Sequence, residues 1–234
     1  MLDRKSGAPS QAHRRESCVQ HVHQIYGLFG DDKPMSDLFL TSQQKWSEVA
    51  KGMGAQYHLW NAVEVETLMK HTYPEYWDMY CSVRYPIMRC DIARIAILHS
   101  FGGLYADLDT LPNRAWYEQA DLAVLRVQVP RTKSGAGAAT RLSDKPKQSA
   151  EILDTKLDME VIIGSAGNQT FLDWLNYIRE QIASKSYAEK SSFWHDARMR
   201  YIFNTTGPYA MRRFLNLPAN AAKLQKLKLS LIHI

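Results

Sequence analysis

Asp107 and Asp109 are two carboxylates one residue apart, at the end of a short apolar stretch, Leu104-Tyr-Ala106. If that stretch is extended, strand alternation puts both side chains on one side. Two carboxylates so close repel unless a cation sits between or beside them. Their hard oxygens suit Mg²⁺ or Mn²⁺, ions that keep positions open for substrate phosphates. A cation held there neutralises the charge that builds up on a departing diphosphate. An Asp-x-Asp is common and by itself says little. The residues before it give this one its weight.

Residues 86–100 read as a helix with Pro86 in its first turn, where a missing N–H costs nothing. Ile87, Met88, Ile92, Ala93, Ile95, Ala96, Ile97 and Leu98 make it apolar on nearly every face, so it is expected to be buried. It nevertheless carries Arg89, Asp91 and Arg94. Asp91 and Arg94 are three apart and share a side. Buried charges must be paired or bound to something. The residues alone leave two readings open, a structural ion pair and a pair placed to hold a ligand. Gly102 and Gly103 then supply the left-handed stop that a helix end wants. A short strand, residues 104–106, leads into the acidic pair. Carboxylates at a strand end in an α/β sheet lie where such sheets form their crevice.

The other elements follow from turn and periodicity signals. Strands are expected at 19–26, 57–60, 121–129 and 159–164. Helices are expected at 36–51, 62–71, 75–83, 169–184 and 208–215. Residues 1–18 are polar and expected to be disordered. Residues 130–155 are rich in Gly, Ala, Ser and Lys and read as a long loop of the kind that often forms a lid. Strands alternating with helices give the α/β class.

The composition fits this picture. The chain has 234 residues, 45% hydrophobic and 23% charged, with a net charge of +5, which suits phosphate-bearing ligands. No basic-aromatic repeat, zinc-finger spacing or RNA-binding signature is present, so no nucleic-acid partner is expected. Cys18, Cys81 and Cys90 form neither a disulfide framework nor a zinc site. No apolar run is long enough to span a membrane. The N-terminal residues lack the apolar core of a signal peptide. The expected compartment is therefore the cytoplasm, or the Golgi if an anchor precedes the sequence. The Lys-rich residues 223–228 read as a solvated face, with peripheral membrane contact as the other option.

The run Arg89-Cys-Asp91-Ile-Ala-Arg94, followed by Gly102-Gly103-Leu-Tyr-Ala-Asp107-Leu-Asp109, resembles the DXD sugar-binding glycosyltransferases. These include the fungal α-1,6-mannosyltransferase, inositol-phosphoceramide mannosyltransferase and capsular polysaccharide types, and more distantly the clostridial glucosylating toxins. His23-Gln-Ile-Tyr26-Gly, Lys45-Trp46 with Tyr57-His-Leu-Trp60, and Asn204-Thr-Thr-Gly207-Pro208 resemble further segments of the family, so the likeness runs over about residues 20–215. It implies a GT-A fold, a Rossmann-like mixed sheet flanked by helices. The domain would cover residues 19–217, with a basic tail at 218–234.

The resemblance also implies a retaining hexose transfer from a GDP- or UDP-sugar to a hydroxyl of a glycan, glycolipid or protein, with Mn²⁺ or Mg²⁺ as cofactor. Asp91 and Arg94 would contact the donor sugar, and Asp107 the ribose or sugar while helping to hold the metal. Asp109 would be a direct metal ligand, and Tyr26 would stack on the base. Arg94, Asp107 and Asp109 would be the catalytic set. Family members continue past the Thr-Gly-Pro region into a segment rich in His, Trp and Ser, whereas this sequence runs into Leu and Lys. The alternative is thus a nucleotide-sugar- or glycan-binding module without turnover. A phosphohydrolase or nucleotidyltransferase would need more carboxylates than this pair.

Other residues have plainer readings. His23 is expected to be a hydrogen-bonded core histidine, and His195 has no accompanying nucleophile. Asp158 and Glu160 are expected to be solvated or locally paired. Gly164-Ser-Ala-Gly167 reads as a strand-to-helix turn lining the acceptor side, and Thr205 or Thr206 as the cap of the last helix.

Overall fold

The computed structural model describes residues 19–30, 34–112, 159–184 and 195–220. The expected disordered segment 1–18, strand 121–129, loop 130–155 and lysines 223–228 lie outside them, as do Asp158 and the side chain of His195. The described elements are β1 (His21–Ile25), α1 (Asp37–Met53), β2 (Gln56–Trp60), α2 (Ala62–Thr72), α3 (Pro74–Ser82), α4 (Pro86–Phe101), β3 (Gly103–Ala106), β4 (Val161–Gly164), α5 (Gln169–Ala183), α6 (His195–Thr205) and α7 (Pro208–Leu215).

Local chemistry sets their ends. Ser36 caps α1 by accepting from the Phe39 N–H, and Gly54 closes it at φ 72°. Asn61 and Glu64 form a reciprocal capping box on α2. The Asn168 side chain caps α5, accepting from the Thr170 N–H at 3.0 Å. Among the described residues no helix is long and apolar enough to cross a membrane.

The strands form one sheet in the order β2-β1-β3-β4, with β1, β2 and β3 parallel and β4 antiparallel to β3. This is the expected α/β mixed sheet with helices on both faces. On one face Trp46, Val49 and Ala50 of α1 pack against Val22, Leu104, Ala106 and Ile163. On the other lies α4, with Cys90 to Leu98 all buried, beneath a larger cluster that draws in α2, α3, α5 and α7. The C-terminal ends of β1, β2 and β3 share one edge of the sheet, and the start of β4 joins them there.

Two glycines let α4 fold back onto the sheet. Gly103 has φ 93°, and a Cβ on it would lie 2.3 Å from the His21 carbonyl oxygen of β1. Gly102 has φ 62°, and its Cβ would lie 2.5 Å from the Ala166 nitrogen. His23 spans the same junction. Its Nδ1 accepts from the Trp60 Nε1–H at 3.2 Å, which leaves Nε2–H to donate to the Gly102 carbonyl at 2.9 Å. It is a core histidine, as expected. Burial, helped by His21 and His58, lowers its pKa to about 4 against the opposing pull of Gly102.

Helix α6 is absent from the sequence reading, because His195, Asp196, Arg198 and Arg200 dilute any apolar stripe there. The turn at residues 164–167 does join strand to helix, but Gly164 pairs with Gly103 at the start of β3. The turn therefore sits at the end of β3 away from Asp107. Its place is set by packing: the Gly167 N–H donates to the His99 carbonyl at 2.7 Å.

Gly103→Ala meets both a forbidden φ and a backbone clash, and should lose about 3 kcal/mol or more in urea unfolding. A loss below about 1 kcal/mol would show that β1 and β3 can separate freely. For His23 the folded pKa lies below the ordinary 6.5, so the unfolded chain binds more protons between those values. Its contribution is complete above about pH 6.5 and is lost as pH falls toward 4, a change of about 3 kcal/mol. The stability of the wild type relative to His23→Gln should fall by that order between pH 7 and pH 4. A pH-independent difference would contradict the neutral assignment.

Candidate active site

The last residue of β3 is Ala106, and the side-chain alternation that buries Tyr105 against α4 carries Asp107 to the same face. The Asp107 N–H still pairs across to the Glu160 carbonyl at 2.8 Å, at the start of β4. The chain then turns. Thr110 donates to the Asp107 carbonyl from its N–H at 3.1 Å and from its hydroxyl at 2.6 Å, and Gln24 Nε2 donates to it at 3.4 Å. Trp46 Nε1 and Ser42 Oγ hold the Thr110 carbonyl in turn, at 3.2 and 2.7 Å. Asp109 thus lies in a turn and not in an extended segment, so alternation is not what relates the two carboxylates. The turn exposes Asp109, whereas Asp107 leans on α4 with its side chain 24% exposed. They are close enough for the Asp109 charge to raise the pKa of Asp107.

Arg94 organises the buried side of this edge. One guanidinium nitrogen, Nη2, meets Asp91 Oδ1 at 2.8 Å. The other, Nη1, donates to Asp107 Oδ2 at 3.2 Å and to the Met159 carbonyl at 2.8 Å. Its Cζ lies 5.0 Å from the centre of the Tyr105 ring. Burial opposes its charge, but Asp107, Tyr105 and Asp91 more than offset that, and its pKa rises. Asp91 is buried, and its second oxygen accepts from the Thr206 hydroxyl at 2.6 Å. Burial raises its pKa against Arg94 and Thr206. Asp107 Oδ1 accepts from the Tyr105 hydroxyl at 2.8 Å. Burial pushes Asp107 up to about 6; Arg94 and Tyr105 pull it down, and Asp109 and Asp91 add to the rise.

Tyr26 follows β1, the neighbour of β3. Its N–H donates to the Trp60 carbonyl at 2.8 Å, and its half-buried ring meets Phe39 edge-on at 6.4 Å. All five residues singled out from the sequence (Tyr26, Asp91, Arg94, Asp107 and Asp109) therefore belong to one edge of the sheet.

Three participants were not legible as such. Tyr105 sits two residues before Asp107, and a period of two marks it as sharing that face. The Met159 carbonyl has no side-chain signal. Thr206 was expected to be a cap, yet α7 is capped by Gly207 and the Thr205 hydroxyl bonds back to the Tyr201 carbonyl at 2.7 Å. Its partner Asp91 is 115 residues away, so no local pattern could pair them.

Among the described residues no group of three or more His, Cys, Asp or Glu side chains forms a ready-made metal site. The donor set instead fits a cation of the Mg²⁺ or Mn²⁺ kind. Asp109 is an exposed carboxylate, and Asp107 retains lone pairs beyond those taken by Tyr105 and Arg94. Two hard oxygen ligands leave the remaining positions to water and phosphate oxygens, the usual arrangement for such ions.

Residues 31–123 match the family described as a glycosyltransferase sugar-binding region containing the DXD motif. The Asp-x-Asp in that stretch is Asp107-Leu-Asp109. This part of the chain is similar to a glycosyltransferase sugar-binding region. It contains Asp91, Arg94 and both acids of the pair, while Tyr26 and Thr206 lie outside it.

The chain is 43% identical over 53 residues to mannosyl phosphorylinositol ceramide synthase CSH1 of Saccharomyces cerevisiae, covering 23% of this chain and 14% of that protein. It is 37% identical over 59 residues to inositol phosphoceramide mannosyltransferase 3 of Schizosaccharomyces pombe, covering 25% and 17%. The match thus spans less than one-fifth of the length of either relative. Among solved structures, the PaToxG glycosyltransferase superposes with a TM-score of 0.46 at 12% identity, over 91% of this chain and 76% of that one.

Arg94→Met removes the shared partner of two acids and leaves Asp91 charged, buried and held by Thr206 alone. It should lose about 3–5 kcal/mol in denaturant unfolding. A loss under about 1 kcal/mol would mean that the guanidinium is not what neutralises Asp91.

Proposed function

We propose that this chain is a metal-dependent retaining hexosyltransferase that takes a sugar from a nucleoside-diphosphate donor and places it on a hydroxyl acceptor. The observation that carries this reading is the exposed Asp109 beside the Arg94-held Asp107, at the C-terminal edge of β3 and inside the DXD region. The names of the two fungal relatives favour mannose as the sugar and an inositol-phosphoceramide glycolipid as the acceptor.

Asp109 and Asp107 would hold the Mn²⁺ or Mg²⁺. When bound, the cation supplies neutralisation of the charge on the departing diphosphate. The residues of the chain do the rest. Tyr26, at the same edge, would stack on the base. Arg94 keeps the Asp107 carboxylate in one orientation and ionised beside a second acid. Asp91 is buried with both oxygens engaged, by Arg94 and Thr206, so its part is to orient Arg94. The acceptor hydroxyl then attacks on the face from which the diphosphate leaves, through an oxocarbenium-like state, which preserves the anomeric configuration.

The test is release of sugar from GDP-mannose, UDP-glucose, UDP-galactose and UDP-N-acetylglucosamine, with Mn²⁺ present. One donor should be hydrolysed slowly, and Asp109→Asn should slow that release by about 100-fold or more. Undiminished release by Asp109→Asn would remove the metal role. Binding of a donor without release would make the chain a sugar-nucleotide-binding module, and no response to any donor would overturn the reading.

A further inference from the structure

The Asn204-Thr-Thr-Gly207-Pro208 corner lies outside the DXD region, yet its Thr206 reaches into the donor edge. We propose that the α6–α7 corner is a positioning element of the donor site and that the Thr206 hydroxyl is its point of action, setting Asp91, through it Arg94, and through that the metal-holding carboxylate Asp107. This rests on the donor-site reading above and extends it to residues that neither the acidic pair nor the family match includes.

The geometry forms an unbroken chain. Thr206 is fully buried, and its hydroxyl donates to Asp91 Oδ2 at 2.6 Å. Asp91 Oδ1 meets Arg94 Nη2 at 2.8 Å. Arg94 Nη1 reaches Asp107 Oδ2 at 3.2 Å and the Met159 carbonyl at 2.8 Å. A carboxylate tied by one oxygen can still swing about its last torsion, which is broad and shallow. Fixing the second oxygen sets the plane of the group. The guanidinium is planar and rigid, so fixing the plane on its Asp91 side also aims the edge that meets Asp107.

The corner is built to hold that hydroxyl still. Arg213 clamps α7 back onto α6, donating from Nη1 to Asn204 Oδ1 at 2.8 Å and from Nη2 to the Asn204 carbonyl. The Thr206 and Gly207 N–H groups both donate to the Ile202 carbonyl at 3.0 Å. Phe214 packs on Trp174 at 5.2 Å and on Tyr177 at 5.6 Å, tying the corner to α5. A Cβ on Gly207 would lie 2.9 Å from the Phe203 Cα. The adjacent Thr205 supplies a control of the same residue type, since its hydroxyl stays within α6, on the Tyr201 carbonyl.

The experiment uses the full chain as wild type, Thr206→Val, Thr206→Ser and Thr205→Val. Mn²⁺ affinity is read by paramagnetic resonance with GDP or UDP present, and melting temperature is recorded in parallel. The expected result is about tenfold weaker Mn²⁺ binding in folded Thr206→Val, recovery to within about twofold in Thr206→Ser, and no change in Thr205→Val. Thr206→Val that binds Mn²⁺ as wild type does would overturn the positioning role while leaving the donor-site reading intact. So would a loss shared equally by Thr205→Val, or one that Ser does not repair, because either marks a general structural effect. A wild type that binds neither Mn²⁺ nor nucleotide would fail the donor-site reading, and this proposal with it.

Discussion

A buried guanidinium cannot stand without anions, and the arrangement around Arg94, a residue only 2% exposed, follows from that requirement. The helix that carries it is apolar nearly all round, so its surroundings offer little solvent to share the charge. Asp91 meets the need from one turn away and Asp107 from the neighbouring strand. Two acids facing one cation leave a surplus negative charge at the strand end, and Asp109 adds another just beyond it. Among the described residues the edge is therefore short of positive charge where the parallel strands finish, and a divalent cation suits such a place.

The backbone decides which acid does what. Gly102 and Gly103 let the chain leave α4 and enter β3 so close to β1 that no side chain fits between them. This brings the middle of α4 beside the far end of β3, and so Arg94 beside Asp107. Immediately afterwards Thr110, held by Trp46 and Ser42, pulls the chain into a turn. Asp107 is thereby kept on the protein side, its orientation fixed by Tyr105 and Arg94. Asp109 is turned to the solvent side, where a ligand can reach it.

Much of this was legible in the sequence because it is local. The apolar helix with charges three apart, the glycine pair after it and the acids beyond it are adjacent in the chain, and each has a short-range cause. That His23 is a core residue was legible from its place within a strand, but its partners Trp60 and Gly102, 37 and 79 residues away, were not. What was not legible depends on long separations or on departures from ideal geometry. Thr206 meets Asp91 only once α6 and α7 have packed on α5. The opposed placement of the 164–167 turn follows from β4 being antiparallel, which strand signals do not encode. Strict alternation misplaced Asp109 because the strand ends at Ala106 and a threonine three residues after Asp107 closes a turn back onto it.

The most direct measurement is a crystal structure of the chain soaked with Mn²⁺ and GDP or UDP, with the cation located by its anomalous signal. One Mn²⁺ should bind the Asp109 carboxylate beside Asp107, with diphosphate oxygens on its open positions and the base against Tyr26. A cation or nucleotide bound away from the C-terminal edge of β3, with Asp109 uninvolved, would mean that the acidic pair is not the donor site.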